Sequence, residues 1–368
     1  MTGIVDCDVH PAPVSSQVLD DFLPLGWRDR RQLAQYLPQQ WQRYREALGD
    51  RSYMGAEYPR PTPRAARGDS WPGNGGPPGS DLGLLREQLL DAWQIDYGVM
   101  NPLLGAGEQL NLEYGGALCH AINDWQREVW ASPEPRLHAS VCVPFEDAGL
   151  SAAEIRRVAA DEAFCQVLVH CRTQEPLGRR KYWPIYEAAV EYRLPVAIHF
   201  GGWGGHPPTP AGFPSFYIED TFSMAAAFAA QLTSLVFEGV LERFPGLRFV
   251  LIESGLTWLP GYFTRLDRSW RLLHDEVAHV SRTPSEQVRA QVAVTTQPFD
   301  EPGPPSRLAD FFAELGMDDR VLFSTDYPHW DFESPGHGPL RLLDPVRKQR
   351  IMRDNAMEWF RFGNRAHG

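Results

Sequence analysis

Six side chains able to bind a metal stand at the ends of short apolar runs. Asp8 and His10 close the first run two residues apart in DVH, His170 ends QVLVH, His199 ends PVAIH, Glu253 ends RFVLIE and Asp326 ends VLFSTD. Imidazole nitrogens and carboxylate oxygens without a thiolate suit Fe, Mn or Zn. Six such groups converging at one end of a fold would be a poor core, because buried charges need partners, and a divalent cation supplies one. Three histidines and three carboxylates are also enough for two metals. Around them, Arg172 lies two residues past His170 and offers a bidentate anchor for a substrate carboxylate. Trp203, His206 and Trp330 lie in loops where they could wall a pocket, and His329 in DYPHWD is placed to orient Asp326.

The elements that must position these groups read as repeated βα units. Runs rich in Val, Ile, Leu and Phe at 3–10, 97–101, 137–144, 164–170, 195–200, 247–253, 291–297 and 320–326 predict eight strands. Helical patterns at 81–94, 108–130, 147–161, 182–192, 222–244, 258–276, 306–315 and 345–360 fill the gaps. Alternation of this kind predicts a distorted (β/α)8 TIM barrel, one domain over 1–368, whose catalytic groups gather where the strands end. Neither GxGxxG nor GxxxxGK[ST] opens a helix, which argues against the nucleotide-binding folds. Two stretches exceed an ordinary βα loop: an insertion over 11–80 after the first strand, carrying Trp27, Trp41 and Trp71, and a loop over 201–220 after the fifth. Both are expected to lie over the mouth of the barrel.

Composition narrows the classes further. Of 368 residues, 43% are hydrophobic and 22% charged, an ordinary globular balance. The 35 Lys+Arg against 47 Asp+Glu leave a formal charge of -12, which repels nucleic acid and anionic lipid. The start, MTGIVDCDVH, has no basic and apolar leader, so a cytoplasmic location is expected. The stretch 222–240 is interrupted by Gln231, Thr233, Ser234 and Glu238 and reads as a buried helix rather than a membrane span. Five cysteines without a CxxC pair read as reduced thiols. The partner these features leave is a small-molecule substrate, and twelve tryptophans leave room for an apolar homodimer interface.

The DVH motif, the histidine of VAIHFGG, the block VFEGVLERFPGLRFVLIESGLTWLPGYFTRLDR and the motif STDYPHWD resemble the amidohydrolase superfamily, in its amidohydrolase-related branch that includes nonoxidative decarboxylases. The likeness spans 6–360. It implies a distorted TIM barrel and places the family's metal ligands on Asp8, His10, His199 and Asp326. This chain departs from the pattern in three places. Asp8 stands where many relatives have a first histidine, Glu253-Ser254-Gly255 replaces a histidine before paired glycines, and His170 stands where dinuclear members often carry a lysine.

Three chemistries are compatible with that set. The DCDxHP opening also resembles amidohydrolase-like hydroxylases with a dinuclear Fe or Fe/Mn centre. The resemblance implies two metals and C–H hydroxylation supported by an electron donor; Asp8, His10 and Asp326 could hold one metal and His170, His199 and Glu253 the other, with Asp8, Glu253 or Asp326 able to bridge. A hydrolase would instead use one Zn or Mn to activate water, with Asp326 accepting the proton. A nonoxidative decarboxylase would use Glu253 as proton donor. Because His170 with Glu253 supports a second metal, and the lysine of dinuclear hydrolases is missing, the monooxygenase is the leading expectation.

Overall fold

Each apolar run forms a strand in the computed structural model, which describes residues 3–33, 66–202, 205–301, 303–336 and 338–362. The strands are β1 (Ile4–Val9), β2 (Ile95–Met100), β3 (Leu137–Cys142), β4 (Phe164–His170), β5 (Val196–His199), β6 (Phe249–Ile252), β7 (Val292–Thr295) and β8 (Val321–Leu322). They pair in chain order, every pair parallel. Residues of β3 to β8 are buried throughout, as parallel strands covered on both faces should be. β8 is short, but the extended chain after it closes the ring on β1: the Cys7 amide donates to the Phe323 carbonyl at 2.9 Å and the His10 amide to the Tyr327 carbonyl at 2.8 Å. The architecture is the (β/α)8 barrel the alternation predicts.

The helices show where periodicity alone falls short. The predicted 222–244 helix is two, Met224–Phe237 and Val240–Arg243, broken at Gly239, whose φ of 79° no other residue type adopts readily. It is preceded by Tyr217–Phe222 within the long loop after β5. Pro284–Gln291, before β7, has no counterpart in the sequence reading; Thr283-Pro284 is its start signal, with Pro at the first helical position. The helix after β2 begins at Leu112 rather than 108, because the Asn111 side chain accepts the Tyr114 amide at 3.0 Å and caps it there. Glu108 therefore lies in the loop. Of the long insertion after β1, residues 16–33 form two short helical segments, while 34–65, with Trp41, lie outside the described residues, as does Trp203.

The insertion ends against the loop after β8. The Arg67 amide donates to the Pro328 carbonyl at 2.9 Å, Ala66 bridges His329, and the Arg67 guanidinium sits 4.3 Å above the Phe332 ring. This part of the insertion thus packs on the segment that presents His329. All five cysteines are buried and free. No helix among the described residues is long and apolar enough to cross a membrane.

Candidate metal centre

Strand geometry brings the distant motifs together. Side chains alternate across a strand, so Asp6, Asp8 and His10 of β1 share the face that looks into the barrel. His199 ends β5, and Glu253 and Asp326 lie just past β6 and β8 with φ of 59° and 60°. Left-handed backbone is uncommon for residues with a Cβ and clusters at functional positions. Here it marks the two carboxylates that follow a strand end.

The ligand atoms converge. His10 Nε2 lies 2.8 Å from Asp326 Oδ1, 3.2 Å from Asp8 Oδ1 and 4.0 Å from Glu253 Oε1. His199 Nε2 is 3.5 Å from Asp8 Oδ1. Asp8, His10, His199 and Glu253 form one group whose ligand atoms lie within 4.8 Å of one another, and His10, Glu253, Asp326 and His329 form another. His10 has only Nε2 to offer, because its Nδ1–H donates to the Asn101 carbonyl at 2.7 Å. The two groups therefore meet at His10 Nε2 and Glu253 and form one cluster. His199 is fixed likewise, its Nδ1–H donating to the Phe200 carbonyl at 2.6 Å. A second hydrogen bond of this kind is how metal-binding histidines are oriented.

The residues fit a divalent cation on an observation independent of any likeness: Asp8 Oδ2, His10 Nε2 and His199 Nε2 are buried and make no hydrogen bond. Buried polar atoms without partners are expensive, and these point toward one another. The electrostatics agree. Burial raises the Asp8 carboxyl, but His10 and His199 outweigh it and hold the group far below the usual carboxylate range. Burial opposes charge on His10, yet Asp8 and Asp326 draw its pKa well above the ordinary value. For His199 burial is likewise overcome, by Glu253 and Asp8. Glu253 is lowered against its burial by His199 and His329, and Asp326 is raised to about 7 by burial and by Glu253. Without a cation the carboxylates hold protons on the histidines, and a divalent ion would take their place.

A polar chain beneath the site holds Asp8. Asn101 at the end of β2 donates to Asp8 Oδ1 at 2.9 Å, and its own Oδ1 accepts from Ser140 of β3 at 2.8 Å and from Gln166 of β4 at 2.8 Å. On the far side Gln297 donates to Asp326 Oδ2 at 3.1 Å. His329 stacks on His10 with ring centroids 4.3 Å apart, its Nδ1 2.5 Å from Asp326 Oδ1. Sequence reasoning missed Asn101, Ser140, Gln166 and Gln297; the one signal for them was a polar residue inside or just after a β-run, which looks like any strand end.

Two expected roles meet a different arrangement. His170 belongs to neither group of converging atoms: its Nδ1 is hydrogen-bonded to Glu108, and its ring centroid is 6.4 Å from that of His199. The β2 loop supplies a carboxylate that engages the ring, and His170 lies level with His199 but outside both groups of converging atoms. Arg172, expected as a free carboxylate anchor, is buried, its guanidinium 2.5 Å from Asp220 and 4.9 Å above the Phe200 ring. The long loop after β5 returns Asp220 to it. His206 is exposed and bonded to the Thr173 carbonyl at 3.1 Å, and Trp330 is half-exposed beside His329.

Known proteins give the same picture of the fold. A family model described as Amidohydrolase matches residues 5–362, and the chain belongs to that family. Among solved structures, 5-carboxyvanillate decarboxylase from Novosphingobium aromaticivorans, complexed with manganese and 4-hydroxy-3-methoxy-5-nitrobenzoic acid, superposes with a TM-score of 0.71 at 19% identity over 97% of this chain and 95% of that one. The enzyme of the same name from Sphingomonas paucimobilis gives 0.66 at 19% identity over 99% and 100%. A dihydroxybenzoic acid decarboxylase from Polaromonas, with bound manganese and 2-nitroresorcinol, gives 0.65 at 20% identity over 98% and 97%. No curated protein matches. At these identities the likeness carries the fold. Family and site together make the protein a metal-dependent enzyme of the amidohydrolase superfamily.

Proposed function

We propose that the protein is a nonoxidative decarboxylase of a hydroxylated aromatic acid, using one divalent cation of the manganese or zinc type. The observation that carries this reading is the single cluster of converging ligand atoms, three of them buried without a hydrogen bond, with His170 engaged by Glu108 outside it. The dinuclear hydroxylase needed His170 and His199 to share a second cation. The solved decarboxylases of the same fold support the choice of reaction and of substrate class.

Asp8, His10, His199 and Asp326 would hold the cation, with Glu253 as a further oxygen ligand. Bound there, the cation supplies a Lewis acid for the substrate's oxygens. The chain's own part is to orient the ring and deliver a proton to the carbon that carries the carboxylate. Asp326 is the donor best placed to be resupplied, because His329 hydrogen-bonds it and is partly exposed to solvent. The proton adds to the ring carbon, the C–C bond breaks, its electrons return to the ring, and carbon dioxide leaves. His329 then restores the proton on Asp326 from water. Glu253, the donor expected from sequence, lies with its carboxylate oxygens 3.7 to 4.0 Å from the His199, His329 and His10 nitrogens and fits the cation better than a relay.

The test is to load the protein with manganese and offer dihydroxybenzoates and carboxyvanillate with oxygen monitored. Release of carbon dioxide without oxygen uptake is expected. Oxygen consumption with a hydroxylated product would return the hydroxylase, and acid release from amides or esters would return the hydrolase.

A further inference from the structure

We propose that His170, positioned by Glu108, is the hydrogen-bond acceptor that selects a substrate hydroxyl group; this rests on the reading of the protein as a decarboxylase of hydroxylated aromatic acids. Alternation along β4 settles where the ring points. Gln166 faces the interior, where its amide bonds Asn101 and Ser140, so Leu168 and His170 point the same way, and His170 stands level with His199 at the mouth.

The ring is held on several sides. Glu108 engages Nδ1 from the loop after β2. That loop lies so close to Phe145 that a Cβ at Gly107 would fall 2.5 Å from the Phe145 ring, and Phe145 itself meets the His170 ring edge-on at 5.9 Å. On the other side, a Cβ at Gly202 would fall 2.8 Å from the His170 Cβ and 2.5 Å from the Arg172 carbonyl oxygen. Both glycines therefore leave room for an imidazole held in one place.

The chemistry of the pair decides what it can recognise. A carboxylate only accepts hydrogen bonds, so Glu108 holds the proton on Nδ1, and in that tautomer the ring lone pair lies on Nε2. Among the described residues Nε2 makes no hydrogen bond, although the residue is only 8% exposed. A nearly buried acceptor beside His199 discriminates sharply, because a ligand that lacks the matching donor leaves it unpaired. A ring hydroxyl is the donor that an aromatic acid can bring while its carboxylate faces the cation. His170 is then a catalytic residue in contact with substrate, and Glu108 a positioning residue acting through it.

Calorimetric titration of the manganese-loaded protein with benzoate and the three monohydroxybenzoates tests the assignment. At least one hydroxybenzoate should bind the wild type about tenfold tighter than benzoate. His170→Ala should reduce that ratio to within about twofold while keeping benzoate affinity and one manganese per chain. His170→Gln, whose amide oxygen can accept, should restore part of the ratio and guards against a folding defect in the alanine variant. Glu108→Leu should lower the ratio without touching manganese content. A ratio that survives His170→Ala, a wild type with no preference for any hydroxybenzoate, or loss of manganese on His170→Ala would each overturn the assignment. Failure of the decarboxylase reading shows separately, as selective binding by the wild type without release of carbon dioxide.

Discussion

Two neighbouring regions of the barrel mouth treat buried charge in opposite ways. Beyond β4, charged groups find protein partners: Arg172 meets Asp220 at 2.5 Å, Lys181 meets Glu146 at 2.5 Å, and Glu146 also accepts from the Tyr182 hydroxyl at 3.0 Å. Between β1, β5 and β8, Asp8 Oδ2, His10 Nε2 and His199 Nε2 make no hydrogen bond, and the nearest groups to the two imidazole nitrogens are the carboxylates of Asp326 and Asp8. The first arrangement is a set of ion pairs and hydrogen bonds that holds a wall in place. The second leaves three buried atoms without a hydrogen bond, and its ligand atoms converge on one another. Charge alone would not separate a scaffold from a site here; the convergence of ligand atoms does.

The largest effect that would sharpen the contrast is between β1, β5 and β8. Asp326→Asn should lower turnover by roughly 10³-fold or more, since it removes both a cation ligand and the proposed proton donor; near-normal turnover would break the metal-centred reading. Beyond β4, Arg172→Met should destabilise the fold by about 3 to 5 kcal/mol, because Asp220 is left buried and unpaired, with manganese content unchanged. Urea unfolding reads this, and the double variant Arg172→Met with Asp220→Leu should recover much of the loss. If Arg172→Met instead stripped the metal, the two regions would not be separate.

A smaller effect comes from the cation itself. Manganese at about 1,000 times its dissociation constant should stabilise the fold by about 4 kcal/mol, and Asp8→Asn should abolish most of that shift. The smallest lies beneath the site. Asp6 is buried and its pKa is raised to about 7 chiefly by that burial, although it accepts from the Thr325 hydroxyl at 2.6 Å and the Thr325 amide at 2.9 Å. Between its ordinary value near 4 and about 7 the folded state binds the extra proton, so this stability is present at low pH and is lost as pH rises through that window. In chelated protein, Asp6→Asn should flatten the fall in stability over that range, by a slope of up to about 1.4 kcal/mol per pH unit. An unchanged slope would mean that Asp6 is ionised throughout.

The basic run Arg179, Arg180 and Lys181, unexplained in the sequence, belongs to the region beyond β4. Arg179 pairs with Glu238 at 3.2 Å and Glu175 at 3.4 Å, Lys181 with Glu146, and Arg180 lies 5.5 Å above the Trp183 ring. The sequence shows three like charges in a row; the fold distributes them among four neighbours.

What the sequence by itself determined is the order and kind of elements and the residues that end them. Parallel strands buried on both faces must be apolar nearly throughout, so each left a readable run, and the hydrophilic residue closing it stood out as Asp8, His10, His170, His199, Glu253 or Asp326. The break at Gly239 and the helix Pro284–Gln291 were harder to see, since periodicity weakens over short stretches. Only the tertiary structure decided which of those residues meet. His170 and His199 read alike in sequence, each closing an apolar strand, yet one is bonded to Glu108 from the β2 loop and the other faces Asp8 with a free Nε2. Arg172 likewise became a buried partner only when Asp220 returned from 48 residues away. A local pattern records which face a side chain occupies, whereas the partner it finds there depends on loops whose sequence carries no period.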